Sequence, residues 1–331
     1  MRTFIISGLW MFIIVLAGVW GCSKSDPGPE PVLNIKKDIY YLPGDTFHKH
    51  TLDVYYKLNA SLNDVVLFVP GGAWRQGDKD QYEVMATTLV SNYNYTVVVT
   101  NYRLSNSADG SAIHPDHIHD VASAFRWVME HITDFGGNPR SVFLFGQSAG
   151  AHLVSLLATD EQYLQQNGYT FSDVRGVISM SGTYRLNDLV VFPLNPLALD
   201  ADEILMYKAI LAGAFGSYDS AILNPASPAF HINPSMPPFL LIYTELDMPG
   251  FDLEGEHFFN EITDFGGLSV AVNKLYQSDY SAETWQTATA MAAAEPLFAD
   301  YIGHYAEVVA INEADRLKAP TPWIVSFIAA H

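Results

Sequence analysis

The chain contains a single cysteine, Cys22, among 331 residues. It therefore has no pair for an internal disulfide and no cysteine cluster for a metal. Cations are scarce too, with 17 lysines and arginines against 36 aspartates and glutamates and a formal net charge of -19. That balance repels phosphate backbones, so no nucleic-acid partner is expected. It also offers no basic face for docking on anionic lipid. Charged residues make up only 16% of the chain, whereas 49% of residues are apolar. A chain of this length and composition buries one large core. Without internal repeats or low-complexity blocks, it reads as one catalytic-sized domain with a short tail.

The longest apolar run lies at the amino terminus. Met1 to Gly21 carry one cation, Arg2, then an apolar stretch from Phe4 to Trp20, and Cys22 follows at once. This is a signal-peptide pattern, too short and too poorly flanked to stand out as a spanning helix; the alternative reading is an uncleaved amino-terminal anchor with an incidental cysteine. It resembles the leader of bacterial lipoproteins, although Trp20 stands where that family usually carries a smaller residue. The resemblance implies a signal peptide over 1–21, lipidation of Cys22 and attachment to a membrane through that lipid. The protein would then be exported, to the periplasm or the cell surface of a bacterium. Residues 22–45 open with Ser-Lys-Ser-Asp-Pro-Gly-Pro-Glu-Pro. Lacking apolar periodicity, they read as a flexible tether to a catalytic domain over 46–331.

Beyond the tether, strand-like and helical runs alternate, which predicts an α/β fold. Short β-branched or aromatic runs at Val65 to Val69, Thr96 to Asn101, Ser141 to Phe145, Gly176 to Ser179 and Phe239 to Thr244 predict a mostly parallel central sheet. Asp120 to Phe135 places Val121, Ala124, Phe125, Val128 and Ile132 on one helical stripe that stops at Gly136-Gly137. Residues 185–233 interrupt the alternation with prolines and loops around a helix over Asp202 to Ala212, as a cap would. Residues 276–300 form an alanine-rich insertion, and Pro322 to Ala330 a closing helix.

The chemistry begins at Gly146-Gln147-Ser148-Ala149-Gly150, between a strand and the helical run His152 to Ala158. That order is what a nucleophile elbow requires: a tight turn lifts the serine hydroxyl above the sheet, and the glycines avoid clashes with strand and helix. Val69-Pro70-Gly71-Gly72-Ala73-Trp74 follows another strand. Here the backbone N–H groups of Gly72 and Ala73, with that of Ala149, are the expected oxyanion hole. Trp74, beside this loop, is the expected pocket residue. A serine hydroxyl needs a histidine base and a carboxylate farther along the chain. Asp247 follows the strand ending at Thr244 and leads Glu245 and Asp252 as the acid. Downstream lie only His257, His304 and His331. His304, expected in a loop near the closing helix, is the base; the other two read as surface groups. His114, His117 and His119 do not share one helix face, so no metal site is expected, and Asp116 or Asp120 reads as the helix cap.

Together these residues resemble the hormone-sensitive-lipase-like branch of the α/β hydrolases, nearest the arylformamidase-like and small bacterial carboxylesterase group. The resemblance runs from about Leu52 to Ile328. It also rests on Asn101-Tyr102-Arg103-Leu104, Phe125-Arg126-Trp127, Phe135-Gly136-Gly137-Asn138-Pro139, Ala151-His152-Leu153 and Ala226-Ser227-Pro228. Pro70 departs from the histidine that normally opens the family's Gly-Gly loop, and the spacing from Asp247 to His304 exceeds the family habit. What the resemblance implies is a cofactor-free acyl-transfer hydrolase of the α/β-hydrolase fold. Export favours a small-molecule or carbohydrate ester as substrate, acylated or feruloylated, over N-formylkynurenine. The competing reading from another class is a non-catalytic surface-binding protein on the same fold.

Overall fold

In a computed structural model, the structure describes residues 32–58, 61–105, 111–191, 193, 195–293, 300–313 and 320–331. The expected leader and Cys22 lie outside them. Eight strands form one sheet: β1 (Asn34–Tyr40), β2 (Thr51–Tyr56), β3 (Asn63–Val69), β4 (Thr96–Thr100), β5 (Gly137–Gln147), β6 (Gly176–Met180), β7 (Phe239–Thr244) and β8 (Val270–Leu275). Their spatial order is β1-β2-β4-β3-β5-β6-β7-β8. β1 and β2, and β2 and β4, pair antiparallel; every other neighbouring pair is parallel.

Parallel strands must be covered on both faces, and β3 shows how its sequence meets that demand. Val65, Leu67 and Val69 enter one apolar layer while Val66 and Phe68 enter the other, all fully buried. The first layer receives the helices α2 (Asp116–His131), α3 (Ala149–Thr159), α4 (Ala201–Phe215) and α5 (Phe251–Phe265). The second receives α1 (Glu83–Tyr93), α6 (Ala282–Ala293), α7 (Ile302–Glu313) and α8 (Thr321–Ala330). At about 1.5–3 kcal/mol for each large apolar side chain buried, these two layers are the main force holding the sheet in place.

Two sequence expectations need correction here. The tether expected to reach residue 45 ends earlier, because Asn34–Tyr40 pairs with β2, Asn34 opposite Tyr56 and Tyr40 opposite Thr51. β1 is an exposed edge strand carrying Lys36, Lys37 and Asp38, so backbone pairing rather than apolar patterning makes it a strand. Neither Asp116 nor Asp120 caps α2. Asp120 instead accepts from the Arg103 backbone N–H at 2.9 Å, from Nε at 2.8 Å and, through its other oxygen, from Nη2 at 2.8 Å. Against the cost of burial, the His50 imidazole, its Nε2 3.4 Å from Oδ2, and then these Arg103 donors hold the carboxyl below its ordinary range. His117 hydrogen-bonds Ser105 Oγ at 2.8 Å, and burial pushes His114 and His117 down to about 4, so both are neutral. Among the described residues, no group of three His, Cys, Asp or Glu side chains converges as metal ligands.

Candidate active site

β5 ends at Gln147 and α3 begins at Ala149, leaving Ser148 alone in the turn at φ 54°, ψ -120°. A non-glycine residue at such angles is strained, and surrounding bonds must hold it there. Ser148 donates its N–H to Met180 O at 2.8 Å, and its carbonyl accepts from His152 N at 3.0 Å. The flanking glycines are required by contact: a Cβ on Gly150 would lie 2.0 Å from Val69 O, and one on Gly146 would lie 2.3 Å from Gly150 O. The sequence thus forces β5 and α3 close together and projects the serine side chain above the sheet.

His304 comes to Ser148 from the far end of the chain. Its Nε2 lies 3.0 Å from Ser148 Oγ, and its Nδ1 lies 2.6 Å from Asp247 Oδ1. Nδ1 faces a carboxylate and therefore carries the hydrogen, which leaves the Nε2 lone pair to accept from the serine. Burial opposes the charged imidazole, but the Asp247 charge and hydrogen bond outweigh it and raise the His304 pKa above its ordinary value. The expected loop placement of His304 is corrected: the residue lies in the first turn of α7. Asp247 sits just past β7, its Oδ1 also accepting from Met248 N at 2.8 Å. The rival acids are engaged elsewhere, Glu245 with Gln277 N and Asp252 with Lys274. His257 is exposed, and His331 bonds back to Phe327 O.

Gly303 presses α7 against the acid loop, since a Cβ there would lie 1.8 Å from Glu245 O. Gly303→Ala is therefore expected to push His304 away from both partners. A displacement of about 1 Å at such a site costs on the order of 10²-fold in kcat. Steady-state kinetics beside an unchanged circular dichroism spectrum would check this.

The loop after β3 turns through three consecutive positive φ angles, Gly72 at 116°, Ala73 at 51° and Trp74 at 58°. Arg75 and Gln76 donate their N–H groups to Gly72 O, and Tyr102 OH braces the loop from beneath by donating to Pro70 O at 3.1 Å. Among the described residues the N–H groups of Gly72, Ala73 and Ala149 have no hydrogen-bond acceptor, and all three residues line the cavity above Ser148. That cavity holds about 500 Å³. The interruption at 185–233 supplies Leu189, Tyr207, Ile210 and Leu211 to its wall, and Met248 and Phe251 come from the acid loop and α5. Trp74 lines it as well, yet is only 4% exposed and packs edge-on against His152 and Phe215. No Asp, Glu, Lys or Arg lies among the described lining residues.

Three residues at the site escaped sequence reasoning. Gln147 Nε2 donates to Glu307 Oε1 at 2.7 Å and lies 3.3 Å from His304 Nε2. Ser181, just after β6, places its Oγ 2.5 Å from Asp247 Oδ2 and 2.6 Å from Glu307 Oε2. Glu307, wholly buried one turn past His304, had only one available signal, its i+3 spacing from that histidine on a helix.

A largely parallel sheet with a serine turn between β5 and α3 defines an α/β hydrolase. The chain belongs to the BD-FAE family, whose description matches residues 52–249. It is 32% identical over 250 residues to the probable carboxylic ester hydrolase LipM of Mycobacterium tuberculosis (strain ATCC 25618 / H37Rv), an alignment covering 70% of this chain and 55% of that protein. The chain thus spans little more than half the length of this curated relative. Among solved structures it is similar to inhibited esterase B from Lactobacillus Rhamnosis, with a TM-score of 0.62 and 20% identity over 90% of this chain and 88% of that one. A truncated carbohydrate esterase from gut microbiota superposes with a TM-score of 0.58 and 19% identity, over 73% and 87% of the two chains. Both structures share the fold.

Proposed function

We propose that this chain is a serine carboxylesterase. The observation that carries the reading is the chain of contacts from Ser148 Oγ through His304 to Asp247, 3.0 Å and then 2.6 Å, at the floor of a cavity whose described lining holds no Asp, Glu, Lys or Arg. In this mechanism Ser148 attacks the ester carbonyl as its proton passes to His304 Nε2, and Asp247 stabilises the resulting imidazolium. The N–H groups of Gly72, Ala73 and Ala149 receive the developing oxyanion, each donor contributing about 3 kcal/mol to the transition state. The imidazolium then protonates the departing alcohol, and a water activated by the same imidazole releases the acid from Ser148. No cofactor enters these steps.

The substrate in this reading is a neutral ester with a short or aryl acyl group, such as the acyl or feruloyl decoration of a carbohydrate. An apolar and aromatic wall fits such a group, and the gut carbohydrate esterase similar in fold bears a name of that kind. The amino-acid head of N-formylkynurenine carries an ammonium and a carboxylate, and no charged side chain in the described wall pairs with either. Export and lipidation on Cys22 belong to the same proposal and rest on the leader pattern alone. A substrate panel tests it. Aryl acetates and methyl ferulate should be hydrolysed and succinyl esters poorly; selective turnover of N-formylkynurenine with no ester hydrolysis would overturn the assignment.

A further inference from the structure

Behind the proposed base lies a second carboxyl that the mechanism above leaves unused. Glu307 is fully buried, and its two oxygens face Gln147 Nε2 at 2.7 Å and Ser181 Oγ at 2.6 Å. Its Oε1 also lies 3.8 Å from His304 Nδ1. Ser181 Oγ stands between two carboxyls, 2.5 Å from Asp247 and 2.6 Å from Glu307. A hydroxyl has one hydrogen to donate, so two such short contacts to carboxyl oxygens require a second hydrogen from one of the acids. Every group around Asp247 is a donor: His304 Nδ1, Met248 N, Thr244 N and Ser181. Asp247 therefore has no use for a proton of its own, and the hydrogen belongs on Glu307.

We infer that Glu307 acts as a neutral carboxylic acid and positions the triad: it donates to Ser181 Oγ, Ser181 donates to Asp247 Oδ2, and Asp247 is thereby fixed against His304. The inference rests on the serine-esterase reading and assigns Glu307 no contact with substrate. The surroundings agree with a neutral group. Among the described residues, the titratable side chains around Glu307 are Asp247 and His304, Tyr82 from the turn before α1, Tyr184 after β6 and Tyr280 after β8. No lysine or arginine is among them. Burial first, and the Asp247 charge second, push the Glu307 carboxyl up to about 8. Losing its proton would leave two anions facing one hydroxyl hydrogen, and the added charge would keep His304 protonated to higher pH. Both effects remove active base.

The test compares wild type with Glu307→Gln and Glu307→Ala, using p-nitrophenyl acetate across the neutral to alkaline range. Glutamine copies the neutral acid: its amide nitrogen can donate to Ser181 and its oxygen can accept from Gln147. Glu307→Ala should lose on the order of tenfold in kcat with KM little changed, because buried Ser181 and Gln147 lose their partner. Glu307→Gln should restore activity to within about threefold of wild type, a loss typical of exchanging one satisfied hydrogen bond for another. Wild-type kcat/KM should fall as pH passes about 8, and that limb should be absent in Glu307→Gln. A folded Glu307→Gln enzyme as impaired as Glu307→Ala, or one keeping the wild-type alkaline limb, would overturn the inference. If Glu307→Ala does not fold, the pH profiles of wild type and Glu307→Gln decide alone. Failure of the esterase reading itself looks different: the wild type would then hydrolyse no ester, or turnover would survive Ser148→Ala at every pH, whatever stands at position 307.

Discussion

Ser148→Ala is expected to lower ester turnover on the order of 10⁶-fold while leaving the fold intact, the scale on which removing the nucleophile of a triad acts. Two features of the site give this effect its size. Among the described residues Ser148 Oγ has His304 Nε2, at 3.0 Å, as its one partner, so deleting the hydroxyl removes the attacking atom and no structural bond. The backbone strain at φ 54° is the same for alanine as for serine, so stability should change little. The residual rate would come from the donors of Gly72, Ala73 and Ala149, which the substitution leaves in place. Turnover of p-nitrophenyl acetate by matched preparations, with thermal midpoints alongside, checks both halves. A mutant within tenfold of wild type would remove Ser148 from the mechanism.

Asp247→Asn should cost about 10⁴-fold in kcat, for a different reason. With its oxygen in the Oδ1 position an amide would keep accepting from Met248 N, which lies 2.8 Å from that atom in the wild type; with its NH₂ there it would meet that donor instead. Its NH₂ group, however, would meet either Ser181 or His304. If the NH₂ faces His304 Nδ1, the imidazole must accept there and carry its hydrogen on Nε2, pointing a proton at Ser148 Oγ where a lone pair is needed. If it faces Ser181, the hydroxyl must turn its hydrogen away and the bridge to Glu307 is rearranged. In either case KM should change far less than kcat, because Asp247 makes no contact with the cavity. Equal losses in Ser148→Ala and the double variant would show that the two residues act as one unit.

The interior of the sheet could be read from the sequence because parallel strands covered on both faces leave continuous β-branched runs. β3, β4, β5, β6 and β7 coincide with runs of that kind. The outer strands follow another rule. β1 carries Lys36, Lys37 and Asp38 on an exposed edge, and β8 breaks its apolar run with Asn273 and Lys274. Backbone pairing with a neighbour makes these strands, and a composition window does not register it. Ser148 was readable because the elbow is local: its strand, glycines and helix are contiguous. Asp247 was readable from its place after a strong strand. Elimination leads to His304, but the expectation that the base sits in a loop near the closing helix misses the start of α7. The structure needs Gly303 for close approach to Glu245 O within the first turn of α7. Glu307 and Ser181 could not be found this way. Their importance arises from the ends of β5, β6 and β7 meeting α7, and no local pattern records that meeting.

The central claim is that Ser148 is a nucleophile activated by His304. Its most direct test is reaction with a fluorophosphonate, followed by peptide mass mapping, on wild type, Ser148→Ala and His304→Ala. The account predicts one stoichiometric adduct, on Ser148, in the wild type, none in Ser148→Ala and greatly slowed labelling in His304→Ala. An adduct on another residue, or ester turnover by a wild type whose Ser148 stays unmodified, would contradict it.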